Sequence, residues 1–491
     1  MTVRDHNLHL VNTLGRLKER FVPLVPGHVG IYVCGPTVYS DAHLGHAKSY
    51  VSFDAIIRYF RHLGYKVKYV QNITDVGHLL DNADEGEDKI ERRAKLERVH
   101  PLEIAEAYAR SYFKDMEGLG VAYADLHPRA TQHIPEQIEI IEQLIAKGNA
   151  YAAGGNIYFS VGSWKEYGCL SGRDTDDAVE GTRVTVRGDK RDPRDFALWK
   201  HADPSHIQWW RSPWGKGYPG WHIECSAMSM KYLGEEFDIH GGGLENQFPH
   251  HECEIAQSRA ATGKGFARYW LHNNMINRDG VKMSKSLGNG ILIKDLLKEV
   301  PGTTVRAFLL GTHYRSAANF TDEGVKAAHA GLERLHFVLG AMRDRMKSAP
   351  SGAQPGDAAV GDAVVTLDRD FHAAMDDDFN TPIAMSSLYE FAKRMNAALA
   401  GAPVSKEACG AALDTYVALA GGVLGLLPAE GDSEDGRKGD LEPVMQVVLD
   451  VRRLLRERKL FDLTDVLRDR LASVGIDVKD TKDGPVWQRR G

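Results

Sequence analysis

Residues 30–75, "GIYVCGPTVYSDAHLGHAKSYVSFDAIIRYFRHLGYKVKYVQNITD", decide the fold. The apolar run "GIYVCGPT" closes on a Gly-Pro pair, the pattern of a buried strand. "AKSYVSFDAIIRYFRHLGY" repeats apolar residues at helical spacing and stops at Gly64. "KVKYVQNITD" reads as the next strand. Strand, helix and strand in that order form the β-α-β unit of a parallel nucleotide-binding sheet. Its strand-to-helix turn carries one thiol, Cys34, and the step His43-Leu44-Gly45-His46.

Outward from this unit, 101–147 is mainly helical and 150–200 is rich in strands and turns, with "NIYFSV" followed by Gly and Asp clusters. "PGWHIECSAMSMKYLG" turns at Pro-Gly into a helix, and "EFDIHGGG" is a strand running into a glycine turn. "PHHECEIAQSRAAT" is helical, and "RYWLHNNMINRDGVKMSKSLGN" is a strand entering a loop. "SAPSGAQPGDAAVGD", after Lys347, has the composition of a linker, and helical patterns follow over 363–427. A second polar stretch, "PAEGDSEDGRKGD", precedes a basic terminal segment.

The 491 residues allow several cores. No apolar run approaches the ~20 residues of a membrane-spanning helix. The N-terminus lacks an apolar signal core, so a cytoplasmic location and no membrane association are expected. Five cysteines, Cys34, Cys169, Cys225, Cys253 and Cys409, are too sparse for a disulfide framework. A net charge of −6 excludes nonspecific coating of nucleic acid. Residues 451–491 nevertheless hold eleven Lys/Arg against seven Asp/Glu, a balance that suits local phosphate contact as well as a solvated helix face.

Three groups carry chemistry. The HLGH step lies where backbone N–H groups favour anions, and Gly45 permits close approach to a ligand. Lys282-Met283-Ser284-Lys285-Ser286 places two ammonium groups and two hydroxyls in a glycine-flanked loop, which suits binding and release of a triphosphate. The third group contains Cys34, Cys225 in "GWHIECSAM", and His250, His251, Cys253 and Glu254 in "FPHHECEIAQ". Two thiolates, one imidazole and one carboxylate make a complete tetrahedral zinc shell. Spacing leaves the last donor open, because Cys253 is i+3 and Glu254 is i+4 from His250. Taken singly, Cys34 or Cys225 would more often be a buried apolar filler than a ligand.

HLGH and KMSKS, about 240 residues apart, resemble the signature of class I aminoacyl-tRNA synthetases. With "YVCGPTVY", "GWHIECSAM", "DIHGGG", "FPHHE", "DPRDFALWK" and the terminal "RRLLRERKLFDLTDVLRDRLASVGIDVKDTKDGPVW", almost the whole chain resembles the cysteinyl-tRNA synthetases. The resemblance implies an α/β architecture: a Rossmann-like catalytic domain with an inserted connective region, then an α-helical bundle and a small C-terminal anticodon-binding module. The expected divisions are 1–115 and 216–290 for the two catalytic halves and 116–215 for the insertion. A stem-contact region at 291–347, the bundle at 348–430 and the terminal module at 440–491 complete the chain.

The resemblance also implies activation of L-cysteine with Mg2+-ATP and transfer of the cysteinyl group to tRNA-Cys by a monomer. It makes Cys34, Cys225, His250 and Glu254 ligands of one Zn2+ ion, and so selects Glu254 over Cys253. It gives His43, His46, Lys282 and Lys285 to catalysis, and His43, Gly45, His46, Gly241, Gly242 and Lys285 to ATP. Gly35, Thr37, Thr74, Trp221 and His240 fall in the amino-acid pocket. Arg452, Arg453, Arg456, Lys459 and Trp487 become candidates for tRNA phosphates and bases. Four protein ligands fill a tetrahedron, so admitting a substrate sulfur requires one to loosen, and the carboxylate of Glu254 is the expected one. Two alternatives remain at this point: a ligase joining cysteine to an amino sugar, which would lack the basic terminal module, and an RNA-binding protein without catalysis, which would need neither HLGH nor KMSKS.

Overall fold

The computed structural model describes residues 3–76, 89–173, 189–283, 288–427, 437–473, 476–481 and 484–489. Strands β1 (His9–Asn12) and β2 (Leu17–Arg20) form an antiparallel hairpin. The expected unit follows as β3 (His28–Val33), α1 (Leu44–His62) and β4 (Lys66–Gln71). The helix begins three residues before the sequence reading, because His43 caps it. Next come α2 (Lys89–Glu97), α3 (Pro101–Gly118) and α4 (Ile134–Ala146). The inserted region then builds its own antiparallel sheet from β5 (Ala150–Ala153), β6 (Asn156–Phe159), β7 (Phe196–His201), β8 (Trp210–Ser212) and β9 (Gly215–Pro219), in the order β5-β6-β7-β9-β8.

After the insertion the chain returns through α5 (Trp221–Leu233), β10 (Glu236–Gly243), α6 (Glu252–Thr262) and β11 (Phe266–Asn273). The central sheet has the order β11-β10-β3-β4, and every neighbouring pair is parallel. Both faces of its strands are covered, which is why they read as near-continuous apolar runs. From β3 the chain first adds β4 on one side and later β10 on the other. The crevice beyond the carboxyl ends of β3 and β10 is therefore the topological switch point, where open α/β sheets bind their ligands.

Beyond β11 lie β12 (Ile276–Arg278) and β13 (Val281–Lys282), an antiparallel pair, with α7 (Ile293–Glu299), α8 (Gly302–Leu310) and β14 (Ala318–Phe320), which pairs in parallel with β12. Four helices follow: α9 (Asp322–Ser348), α10 (Asp357–Asp376), α11 (Thr381–Ala400) and α12 (Lys406–Tyr416). The stretch 348–362, whose composition is that of a linker, is already helical from Asp357. Val360 and Ala363 are buried there, so packing overrides the loop-forming composition. One apolar core runs without a break from the central sheet through α8 into these helices, and Met1–Leu427 is one compact unit.

Two basic groups tie α1 across that core. Arg306 on α8 is fully buried, pairs with Asp54 of α1, and donates to Leu424 O at 2.5 Å and Gly120 O at 3.2 Å. At the C-terminal end of α1, the half-buried His62 places Nε2 3.0 Å from His372 Nε2 on α10. Burial first, then His372, hold the His62 imidazole down at about 4. A histidine held below the ordinary ~6.5 binds its proton more readily in the unfolded chain. The stability present above pH ~6.5 is therefore lost as the pH falls from there towards 4. The melting temperature is expected to fall between pH 7 and pH 5, and His62→Gln to make that fall shallower in a fluorimetric melt.

The second unit, 428–491, consists of α13 (Arg437–Glu457), α14 (Phe461–Ser473) and the antiparallel hairpin β15 (Ile476–Thr481) and β16 (Gly484–Arg489). Met445, Leu449, Ile476 and Val478 form its small core, with Trp487 packed against them. Arg452 is buried, whereas Arg453, Arg456 and Lys459 are exposed. Among the described residues no helix is long and apolar enough to cross a membrane.

Candidate active site

Cys34 follows β3 directly, and its N–H donates to Gly241 O of β10 at 3.0 Å, which sets the thiol at the switch point. Cys225 comes from α5, and His250 and Glu254 come from the start of α6 and the turn before it. The four donor atoms of Cys34, Cys225, His250 and Glu254 all lie within 4.8 Å of one another, and all four residues are buried. The two sulfurs are 4.0 Å apart, and His250 Nε2 is 3.1 Å from Glu254 Oε1. Cys253 points elsewhere, with its sulfur 3.3 Å from Tyr167 Oη in the core of the inserted region. The helix geometry thus separates the two donors that spacing left open.

A second ring of histidines surrounds these four. His240 Nε2 lies 2.8 Å from Glu254 Oε2, and His251 Nε2 lies 3.2 Å from Cys34 Sγ. Cys34, His240, His251 and Glu254 form an overlapping group that could also hold a metal ion. His222 Nδ1 lies 2.9 Å from His250 Nδ1, and His251 Nδ1 is 2.8 Å from His272 Nε2. Such outer partners fix the orientation of the inner donors. Sequence reasoning left His251 without a role and passed over His222 and His272. The doubled histidine of "PHHE" and the histidine of "WLHNN" were the available signals.

The charges form a self-consistent set. Burial raises the Glu254 carboxyl, but His240 and His250 outweigh it and bring it down to about 2. Burial lowers the His250 imidazole, but Glu254 and Cys225 outweigh it and raise it to about 10. Burial raises the Cys225 thiol, whereas Cys34 and His250 draw it down to about 6, and the Cys34 thiol is pushed up by burial and then by Cys225. A pocket that already favours a thiolate and a carboxylate together has the donor chemistry of a soft divalent cation.

The other residues expected in the pocket cluster around these donors. The indole of Trp221 stacks on His250 with centroids 4.1 Å apart. Gly35 N donates to Asn72 Oδ1 at 2.8 Å, and a Cβ at Gly35 would meet Asn72 O at 1.6 Å. Thr37 and Thr74 form a parallel bridge, and Thr74 Oγ1 donates to the fully buried Glu224 at 3.0 Å. A Cβ on Gly241 would strike Phe53 of α1, and one on Gly242 would strike His251. The missing side chains of these two glycines let Phe53 and His251 pack against β10.

At the head of α1 the HLGH step forms a reciprocal cap. His43 Nδ1 accepts from Gly45 N at 3.1 Å, and His46 Nδ1 accepts from His43 N at 3.1 Å. The rings stack with centroids 4.0 Å apart. Because each Nδ1 is an acceptor, each neutral ring carries its hydrogen on Nε2. A Cβ on Gly45 would lie 2.9 Å from His43 Cε1 and displace that ring. Gly45→Ala is expected to reduce ATP-dependent turnover about 10-fold. Its thermal stability should change by no more than the ~1 kcal/mol of a lost cap; steady-state kinetics beside a melt would check both.

The chain just beyond the KMSKS loop pairs with this cap. Leu44 N donates to Ile291 O at 2.9 Å, and Ile293 N to Ala42 O at 3.0 Å. Lys282, exposed on β13, receives at its carbonyl a hydrogen bond from Asn289 Nδ2 at 3.1 Å. Lys285 lies outside the described residues.

A parallel sheet with HLGH at the head of its first helix and a lysine-bearing hairpin after its last strand has the architecture of the class I aminoacyl-tRNA synthetases. The tRNA synthetases class I (C) catalytic domain matches residues 20–330, and the DALR domain matches residues 370–428. The cysteine–tRNA ligase of Deinococcus radiodurans is 52% identical over 486 residues, covering 98% of this chain and 97% of that protein. A cysteine–tRNA ligase of Thermus thermophilus is 50% identical over 481 residues, covering 98% of this chain and 99% of that protein. The chain belongs to the cysteine–tRNA ligase family. Among solved structures, a methionyl-tRNA synthetase of Mycobacterium tuberculosis in complex with methionyl-adenylate shares the fold, with a TM-score of 0.61 at 15% identity over 81% of this chain and 91% of that one.

Proposed function

We infer that the chain activates L-cysteine with ATP and transfers the cysteinyl group to the 3′ end of tRNA-Cys. The observation that carries this reading is that the one connection after β3 carries both Cys34, a member of the buried donor cluster, and the capped HLGH step. The first chemical step is attack of the cysteine carboxylate on the α-phosphorus of Mg2+-ATP, with pyrophosphate leaving. Such an in-line displacement calls for positioning and charge stabilisation rather than a protein nucleophile. His43 and His46 supply Nε2–H donors for the developing phosphate charge. Lys282 and Lys285 follow the departing pyrophosphate, Lys285 at the transition state and Lys282 in support. The ribose hydroxyl of the tRNA then takes the cysteinyl group and AMP leaves.

Cys34, Cys225, His250 and Glu254 are the residues that hold Zn2+ in this reading. Bound there, zinc would supply Lewis acidity that favours a thiolate over the hard, weakly acidic hydroxyl of serine. Apolar packing would separate two such near-isosteres by only ~1–3 kcal/mol. His222 and His251 orient the donors, and Trp221 and His240 wall the side-chain pocket. Gly35, Thr37 and Thr74 belong to the same pocket, and Gly241 and Gly242 border the adenosine.

Residues 1–115 and 216–290 act as the catalytic halves and 116–215 as the connective insertion. Residues 291–347 form the stem-contact region, 348–430 the tRNA-binding bundle and 440–491 the anticodon module. In that module, exposed Arg453, Arg456 and Lys459 are better placed for phosphate contact than buried Arg452. We place the protein in the cytoplasm as a monomer.

The test is amino-acid-dependent ATP–pyrophosphate exchange on purified protein whose zinc content has been measured. Exchange with cysteine and background with serine is the expected result. Exchange with neither amino acid would overturn the activity, and exchange by zinc-free protein would overturn the metal's part in selection.

A further inference from the structure

The turn at 312–315, between α8 and β14, is held by three separate elements, and a fourth braces one of the three. From α1, the fully buried Lys48 donates through Nζ to Thr312 O at 3.2 Å and His313 O at 3.4 Å. From the turn between α10 and α11, Asp378 accepts from Tyr314 Oη at 2.9 Å and Arg315 Nε at 2.6 Å, and its carbonyl pairs with His313 Nε2 at 2.9 Å. From the link between β11 and β12, Asn274 N donates to Tyr314 O at 2.8 Å and Asn274 Nδ2 to Arg315 O at 3.0 Å. From the N-terminal hairpin, Val11 N donates to Asp378 Oδ1 at 2.9 Å, and Asp378 N donates to His9 O at 2.9 Å.

Two features set this turn apart from ordinary packing. Asp378 and Phe379 are both left-handed, with φ of +58° and +55°. Non-glycine residues keep such a backbone, at ~1–3 kcal/mol each, only where the surroundings over-determine it. Lys48 is the other. A methionine would fill the same buried channel without desolvating an ammonium group, whereas the lysine amine grips two consecutive carbonyls. One more bond reinforces the grip, as Ser49 Oγ donates to Asn273 Oδ1 at 2.8 Å and so ties α1 to the end of β11.

The elements so joined are those that carry the two ATP motifs. Helix α1 begins with His43 and His46, and the β12–β13 hairpin ends at Lys282. We infer that the 312–315 turn is a joint that fixes these two elements relative to each other and to the helical bundle, with Lys48 and Asp378 as its positioning residues. The inference rests on the adenylation reading above. No joint contact named here involves Cys34, Cys225, His250 or Glu254, so loosening the joint should disturb ATP and leave cysteine recognition in place.

The experiment uses the full-length protein with Asp378→Asn, Lys48→Met and both together. Asparagine accepts a left-handed backbone and loses only the charge and the oxygen that accepts from Arg315, and methionine keeps the bulk of the lysine stem while removing its donor, so each change weakens the grip with little else. Pyrophosphate exchange is measured against ATP and against cysteine, beside a thermal melt. The expected result is a rise of about 10-fold in KM for ATP in each single variant, with KM for cysteine unchanged within about twofold. The double variant should lose less than the product of the single losses, as residues acting through one joint do. A folded variant with unchanged KM for ATP would overturn the inference, and so would equal rises for ATP and cysteine or fully multiplicative losses. Should Lys48→Met fail to fold, Asp378→Asn decides alone, and no rise in its KM for ATP counts against the joint. Absence of exchange in the unaltered protein would overturn the adenylation reading instead, which separates the two failures.

Discussion

Cys225→Ala is expected to lower cysteine-dependent pyrophosphate exchange by more than about 100-fold and to leave the purified protein depleted of metal. The magnitude follows from what surrounds the sulfur. Losing a partner outside the metal shell already costs ~10–100-fold in typical sites, and Cys225 is one of the four donors of the proposed shell. Its sulfur lies 4.0 Å from Cys34 Sγ, and its charge is one of the two that raise the His250 imidazole. Alanine removes a thiolate from a pocket whose remaining donors, one of them the thiol Cys34, cannot complete the shell. Zinc analysis and exchange should fall together. Retained exchange in metal-depleted Cys225→Ala would show that the cluster does not select the substrate.

Arg306→Met should cost about 3–5 kcal/mol of stability, the usual penalty for removing one member of a buried ion pair. The guanidinium reaches Asp54, Leu424 O and Gly120 O from a fully buried position. Methionine fills much of its volume but strands those acceptors. Arg58 still reaches Asp54 at 2.7 Å, so the carboxylate is not abandoned outright. Urea titration would show the earlier transition of the variant. Pairing it with Asp54→Leu should restore little of the loss, because Leu424 O and Gly120 O stay without their donor and Arg58 and Ala122 N lose their acceptor. An Arg306→Met protein as stable as its parent would mean that the seam between α1 and α8 is held by apolar contact alone.

These two sites were not equally legible. Cys225 announced itself because its chemistry depends on residue type: thiols, imidazoles and carboxylates in short, unusual strings. The parallel sheet was legible for a related reason, since strands covered on both faces are apolar throughout. Cys253 and Glu254 were not separable by spacing, because i+3 and i+4 both fall near His250 on a helix, and it is the packing around them that divides the two: Cys253 meets Tyr167, whereas Glu254 meets His240 and His250. Arg306 and Lys48 left no trace in the pattern. Charged residues on a helix ordinarily mark its wet side, and each here lies in the core because carbonyls or a carboxylate on distant segments accept its hydrogens. The start of α10 was hidden in the opposite sense, behind a glycine- and proline-rich stretch whose last residues pack as a helix.

The strand order of the central sheet has a consequence for synthesis. One edge of β3 is covered by β4 within some forty residues of chain, but its other edge waits for β10, about 200 residues later. At ribosomal speeds of ~5–20 residues per second, that edge stays open for roughly 10–40 seconds in every nascent chain. An open strand edge is a template for pairing with other chains. The inserted region, which can close its own antiparallel sheet in the meantime, is the segment that emerges during this interval. A ribosome-bound half of the molecule is thus the form most in need of a chaperone, and crowded polysomes are where its aggregation should begin.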